Sequence, residues 1–472
     1  MLFLLSLLGA AQAQAAKRPN FVIIFIDDMG WRDWSGNGSD FLVTPNIDKI
    51  GAEGIVFDQG YVNAANCAPS RCAMLSGQYA PRNKFYNVFT IHRGKKGIDR
   101  LTLADVPEEQ VLFKERITFG EALQKAGYKT AMYGKWHVGG HGKKGEKIIM
   151  PQEQGFDDVL YHHPGKLNKL FKENGDPKQI FAYTKQAMKF AEECKQEDKP
   201  FLIYLAHHAV HAQDQCRPES KALYADKKPG KISKGVKYGG MMHDTDEGIG
   251  MLMNKIKELG IDDNTVVFFL SDNGGVHWHC TQPPLRGYKG CYYEGGIRVP
   301  FIVRWPGKIK PARSQAPVMA IDLYPTMLEL AGVTDIAAHV DGQPLDGTSI
   351  VPLLKGKSME DRPMFWHIPS YLSGNPAYEG ARHQKYRQRP ASVIRKGDWK
   401  LLVHFEEWSL DGGRDKIAEN GAVELFNLKD DPGEHKNLAM KNISKRDELL
   451  DELIAWWKSI DAPIPKEPTN SL

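Results

Sequence analysis

The 472 residues include only six cysteines and no Cys-x-x-Cys pair, which argues against a structural zinc or a thioredoxin-like site. The formal net charge is +4, too slight at this length to point to nucleic acid, although a local basic site for anions is compatible with it. Internal repeats and low-complexity segments are absent, and 42% hydrophobic with 25% charged residues is the balance of a soluble globular enzyme rather than a disordered chain. Past residue 16 no stretch is apolar and long enough to span a bilayer. The N-terminus lacks a Lys or Arg ahead of its apolar run (residues 2–8), and it lacks the cysteine a bacterial lipid anchor would need. That run is too short for a membrane anchor and is followed by small residues up to Ala16. Residues 1–16 are therefore expected to be a secretory signal peptide and the protein to be secreted or periplasmic.

The chain is too long for one small core, so a large α/β domain over 17–355 and a smaller C-terminal α+β unit over 356–472 are expected. Residues 20–26, 129–133, 201–205 and 265–270 are apolar and rich in β-branched or aromatic side chains, as strands buried on both faces of a parallel sheet are. Beyond residue 363, short alternating runs at 392–395, 400–403 and 424–426 predict a small antiparallel sheet, covered by an amphipathic helix through Leu449, Leu453 and Trp457. Thr44 is expected to cap a helix, and Thr118 with Glu121 has capping-box spacing. Cys280 and Cys291 bracket a short Pro-containing loop and are the best-placed pair for a disulfide.

Four of the buried runs end in groups that bind metals or anions. The first leads to Asp27 and Asp28, the second to Lys135 and His137, the third to His207, His208 and His211, and the fourth to Asp272 and Asn273. In an open α/β sheet such strand ends are where ligands bind. Adjacent carboxylates repel, so a bound cation is a good reason to place Asp27 beside Asp28. Residues 66–77, Asn-Cys-Ala-Pro-Ser-Arg-Cys-Ala-Met-Leu-Ser-Gly, read as a turn and a short helix with Pro69 in the first turn and Gly77 as a left-handed stop. Cys67 then stands at a helix N-terminus, which favours negative charge, with the cation of Arg71 one turn on.

Cys-x-Pro-Ser-Arg followed by Leu75-Ser76-Gly77 resembles the signature of the type I sulfatases. Gly134-Lys135-Trp136-His137, Ala209-Val210-His211, Ser271-Asp272-Asn273-Gly274 and the stretch from Lys289 to Pro300 resemble that family's other motifs in order and spacing, with Val210 where the family usually has proline. The resemblance covers residues 19–332 strongly and the remainder loosely. It implies the alkaline-phosphatase-like α/β fold: a large mixed, mainly parallel sheet flanked by helices, with a smaller C-terminal antiparallel sheet plus helix. It also implies that Cys67 is oxidised by a formylglycine-generating or anaerobic maturation enzyme to an aldehyde whose hydrate is the nucleophile.

The hard oxygens of Asp27, Asp28, Asp272 and Asn273, joined by position 67, suit Ca²⁺ or Mg²⁺ rather than zinc, and the resemblance implies Ca²⁺. By analogy Arg71, Lys135 and Lys289 neutralise the sulfate, His211 or Lys289 protonates the leaving alcohol, and His137 removes the proton from the second hydroxyl of the hydrate. His277, His279, Arg286 and Tyr292, which flank these motifs, are expected to line the substrate subsite, as are His162 and His163. Arg387 belongs to the basic run 382–389, which reads first as a solvated loop and alternatively as a subsite for further sulfates of a polymer. The resulting expectation is a bacterial polysaccharide sulfatase acting on a sulfated marine or host glycan. The alternatives are a phosphate or phosphonate ester hydrolase on the same scaffold, and a sulfoglycan-binding protein without catalysis.

Overall fold

The computed structural model describes residues 17–88, 102–140, 148–378 and 380–468. The expected signal peptide lies outside the described residues. Among the described residues there are sixteen strands. In chain order they are β1 (Asn20–Ile26), β2 (Gly54–Phe57), β3 (Gly60–Tyr61), β4 (Lys129–Gly134), β5 (Asp158–Leu160), β6 (Phe201–Ala206), β7 (Thr265–Ser271) and β8 (Phe301–Arg304). There follow β9 (Ala312–Ser314), β10 (Val318–Met319), β11 (Met364–Ile368), β12 (Leu372–Ser373), β13 (Tyr386–Gln388), β14 (Ala391–Lys396), β15 (Trp399–His404) and β16 (Val423–Asn427).

Eight of them form one sheet in the order β5-β4-β6-β1-β7-β8-β2-β9. Its pairs are parallel except β7–β8 and β2–β8, which are antiparallel. The continuous apolar runs follow from burial on both faces: Phe21, Ile23 and Phe25 enter one core, while Val22, Ile24 and Ile26 enter the other. The four runs that end in polar groups are the adjacent parallel strands β4, β6, β1 and β7. Parallel pairing brings all four carboxyl ends to one edge of the sheet, which is how residues far apart in sequence come to share a site.

A four-stranded antiparallel sheet, β11-β14-β15-β16, follows with the helix Ile443–Ser459. Its core also takes in Tyr61, Ala65 and Ala73, so it packs directly on the segment around Cys67. Thr118 forms the expected capping box with Glu121. Thr44 occupies the N-cap position of Pro45–Ala52 without a side-chain cap bond. Its hydroxyl is instead engaged by Ser35 and Asp48. The candidate disulfide is not formed: Cys280 and Cys291 are both free and buried. The Cys280 sulfur is directed at Gly30 and Gly275 and the Cys291 sulfur at Gly287, so the two thiols serve separate packing sites.

Candidate active site

Cys67 opens the helix Cys67–Ser76, all of whose residues are buried, and Gly77 ends it at φ 68° by donating its N–H to Ala73 O. Asp27 and Asp28 leave β1, and Asp28 holds a left-handed φ of 66°. Gly134 closes β4 at φ 110°, where a Cβ would lie 1.9 Å from Ala206 O, so only glycine lets the chain turn into Lys135 against β6. Gly274 follows Asn273, and a Cβ there would lie 1.9 Å from Gly295 O. That close approach joins the end of β7 to the segment carrying Lys289.

These elements converge. One ligand atom from each of Asp27, Asp28, Cys67 and His211 lies within 4.8 Å of all the others. Lys135 Nζ is 2.6 Å from Asp27 Oδ2, and Lys289 Nζ is 2.5 Å from Asp28 Oδ1. Lys289 also donates to Cys67 Sγ at 3.2 Å. Arg71 is fully buried and donates to Asp272 Oδ2 from Nε at 2.9 Å and Nη2 at 2.7 Å, and to the Lys135 carbonyl from Nη1 at 2.9 Å. The other Asp272 oxygen accepts the Asp28 N–H at 3.1 Å, and Asn273 Nδ2 donates to Asp28 Oδ1 at 2.8 Å.

The electrostatics follow from burial and these pairs. Asp27 is buried, yet Lys135 chiefly, with His211 and Arg71, holds its carboxyl well below the usual value. Asp28 is also buried, and Lys289 chiefly lowers its carboxyl against that burial. Burial pushes the Cys67 thiol up to about 11 despite Lys135 and Lys289. An unmodified thiol there is protonated at neutral pH and a poor nucleophile. Burial, reinforced by Lys135 and Arg71, holds His137 well below the ordinary histidine value, so its imidazole is neutral and free to take a proton. Asp28 pulls His211 upward, but burial with Lys289 and Lys135 outweighs it and leaves the ring lowered.

Two buried oxygens, Asp27 Oδ1 and Asn273 Oδ1, have no hydrogen-bond partner among the described residues. Orphaned hard oxygens beside two acidic side chains fit a divalent cation of the Ca²⁺ or Mg²⁺ kind better than a soft-ligand metal.

The residues open into a cleft of about 590 Å³. Among the residues expected from sequence, Asp27, Cys67, Lys135, His137, His211, Lys289 and Arg387 line it, while Arg71, Asp28, Asp272 and Asn273 lie buried around its floor. The remaining expected subsite residues are not brought to it. His279 stacks on Tyr238 at 4.2 Å and lies 3.1 Å from Asp214. Arg286 lies over the Tyr293 ring at 3.9 Å and donates to Glu434 O at 2.9 Å. Tyr292 is buried in the C-terminal core, and its N–H donates to Gln388 Oε1 at 3.1 Å. His277 packs on Trp278 and Tyr288. His162 is 2.9 Å from the Tyr183 hydroxyl, and His163 accepts from Gly165 N–H as a helix cap.

In their place the cleft is lined by Asn66, Val88, Leu167, Asn168, Lys178, His208, Ala212, Gln213, Leu372 and Ser373. Asn168, Lys178 and Ser373 carry no sequence pattern that marks them, because each belongs to a segment (for Asn168 the helix Pro164–Asn174) brought in from elsewhere in the fold.

A family model described as "Sulfatase" matches residues 19–333, and one described as "N-sulphoglucosamine sulphohydrolase, C-terminal" matches residues 288–455. A sulfatase of Formosa agariphila is 30% identical over 97% of this chain and 92% of its own length. The N-acetylgalactosamine-6-sulfatase of Mus musculus is 31% identical over 78% of this chain and 72% of its own. The solved structure of Ps i-CgsB in complex with k-i-k-neocarrahexaose superposes with a TM-score of 0.72 at 26% identity, covering 96% of this chain and 95% of that one. With a family model spanning the whole strand-end constellation and a relative matched over nearly its full length, this chain belongs to the sulfatase family and is a sulfuric ester hydrolase.

Proposed function

We propose that the enzyme removes a sulfate monoester from a sulfated polysaccharide or oligosaccharide outside the cytoplasm, using a formylglycine made from Cys67. The observation that carries this is Cys67 at the cleft floor, 3.2 Å from Lys289 and grouped with Asp27, Asp28 and His211. A sugar substrate is supported by a relative named N-acetylgalactosamine-6-sulfatase, by a similar structure solved in complex with k-i-k-neocarrahexaose, and by a cleft large enough for a saccharide unit and lined by polar side chains. Among the described residues no helix is long and apolar enough to cross a membrane. The division into 17–355 and 356–472 belongs to the same reading and is supported by the second sheet, whose strands all follow residue 363.

In this reading Asp27, Asp28, Asp272 and Asn273, with residue 67, would hold Ca²⁺. When bound, the ion supplies Lewis-acid charge against a sulfate oxygen. Lys135 and Lys289 are aimed at the same place and neutralise the rest of the sulfate charge, while Arg71 orients the hydrate. One hydroxyl of the hydrate, giving up its proton to water, attacks sulfur as the bond from sulfur to the sugar oxygen breaks, and His211 or Lys289 gives that oxygen its proton. The neutral His137 then takes the proton of the second hydroxyl. The aldehyde reforms, sulfate leaves with the electron pair of the broken C–O bond, and water rehydrates the aldehyde.

Co-expression with a maturation enzyme, followed by peptide mass spectrometry, should show an aldehyde at position 67. The converted protein should release sulfate from defined sulfated oligosaccharides faster than it releases phosphate from matching phosphate esters. A persistently unmodified thiol, preferred phosphate-ester turnover, or binding without turnover by aldehyde-bearing protein would each overturn the reading.

A further inference from the structure

The cations of the cleft fall into two groups. Lys135 and Lys289 are each neutralised by a carboxylate within 2.6 Å. Lys178 and Arg387 line the same cleft, yet among the described residues neither side chain makes an ion pair or donates a hydrogen bond. Lys178 is nevertheless only 5% exposed. Burial is the main influence on it and lowers its ammonium to about 8, with Asp27 and Asp214 opposing but out of ion-pair reach. An ammonium withdrawn from water without a counter-ion is costly to keep, and its location in a substrate cleft says what compensates it.

The backbone around Lys178 is held in place at further cost. Lys178 and Gln179 both occupy the left-handed region, at φ 52° and 57°. Such a conformation is unfavourable for residues with a Cβ and persists where the surroundings enforce it. The enforcement is visible as a chain of amides. Gln215 Oε1 accepts the Lys178 N–H at 3.0 Å, Gln215 Nε2 donates to Asn168, and Asn168 Nδ2 donates to Gln213 Oε1 at 2.7 Å. Asn168 and Gln213 themselves line the cleft, as does His208, whose buried Nε2 has no partner among the described residues.

We infer that Lys178 is a specificity-determining residue that binds a second oxyanion of the substrate, one that is not cleaved. The inference rests on the sulfatase reading and narrows its substrate class to glycans with another sulfate, or a uronate carboxylate, near the scissile ester. The reacting sulfate already meets Lys135 and Lys289, so the uncompensated charge of Lys178 matches an additional anion. Arg387, equally unpaired, adds to the same positive lining.

The test uses aldehyde-verified enzyme and pairs of disaccharides that differ in one group. In one arm the members differ by a second sulfate against a hydroxyl. In the other they differ by a uronate against its neutral sugar, which separates the two sources of oxyanion. Wild type should favour the doubly anionic member of at least one pair by roughly 10–100-fold in kcat/KM, mostly through KM, as a charged hydrogen bond warrants. Lys178→Met should bring that ratio close to one, and Lys178→Arg should keep most of it. Ratios near one in both arms with wild type, or a preference that survives Lys178→Met, would overturn the inference. Titrating the same pairs into Cys67→Ala protein gives the ratio as dissociation constants. The failure of the sulfatase reading, seen as no sulfate release from any pair or from an aryl sulfate, is thereby distinguished from the failure of this one.

Discussion

Lys400 on β15 is the buried charge that joins the C-terminal sheet to the segment carrying Lys289. Its ammonium is 3.0 Å from Glu294 Oε1 and 2.8 Å from Glu434 Oε1, with all three side chains at 0% exposure. Tyr61 donates to Glu294 Oε2 at 2.7 Å, and the Glu294 N–H donates to Glu434 Oε2 at 2.6 Å. Lys400→Met keeps most of the volume but leaves two buried carboxyls without their shared cation. Removing one partner of such an arrangement costs about 3–5 kcal/mol.

The loss should depend on pH. Burial, reinforced by Glu294 and opposed by Lys400, already pushes Glu434 up to about 7. Glu294 is buried too, but Lys400 and then Arg298 hold it below the usual carboxyl value. Without Lys400 both rise. A carboxyl whose folded pKa lies above its unfolded value weakens the fold progressively as pH climbs from the unfolded to the folded value. The deficit of Lys400→Met should therefore be small near the unfolded value of 4.5 and keep growing as pH rises through and above about 7, where the wild-type Glu434 ionises while the further-raised carboxyls of the variant are still being forced to. Thermal unfolding at neutral pH should show a midpoint lower by roughly 5–10 °C. Lys400→Met/Glu434→Gln should regain part of it, because one of the two facing charges is gone. A deficit below about 1 kcal/mol at neutral pH, or one of equal size in acid and at neutrality, would refute the reasoning.

Other outcomes are expected on the same grounds. Chelation should stop sulfate release and Ca²⁺ should restore it; full restoration by Zn²⁺ instead would contradict the hard-oxygen donor set. His137→Gln should slow turnover by about 10²–10⁴ while one equivalent of product alcohol is still released, and steady alcohol release at the wild-type rate would count against its role as base. His279→Ala should lower the thermal midpoint through loss of its stacking on Tyr238 and leave kcat/KM within a few-fold; a collapse of kcat/KM in folded protein would return His279 to the substrate site. Thr118→Ala should cost about 1 kcal/mol in denaturant unfolding as its capping box is lost, and an unchanged midpoint would refute that contribution.

The sequence alone determined the elements whose burial leaves a local mark. A strand covered on both faces must be apolar at every position, so β1, β4, β6 and β7 are visible as continuous runs. Because β4, β6, β1 and β7 pair in parallel, their polar ends must share an edge, and the grouping of Asp27, Asp28 and His211 around Cys67 follows from that topology. The cap at Gly77 is equally local, since only a residue without a Cβ takes that turn freely.

What lines the cleft was decided by tertiary structure. Lys178, Asn168 and Ser373 come from separate segments, and nothing in their immediate neighbours distinguishes them from solvated side chains. The reverse holds for Arg286, Tyr292 and His279, which adjoin the motifs in sequence but turn into packing contacts with Tyr293, the C-terminal core and Tyr238. Proximity along the chain was equally uninformative for Cys280 and Cys291, whose sulfurs point to different glycines. Strand-end chemistry is written in the local sequence because backbone topology fixes it. Substrate-facing walls are not, because the packing of distant loops settles which side chains meet the cleft.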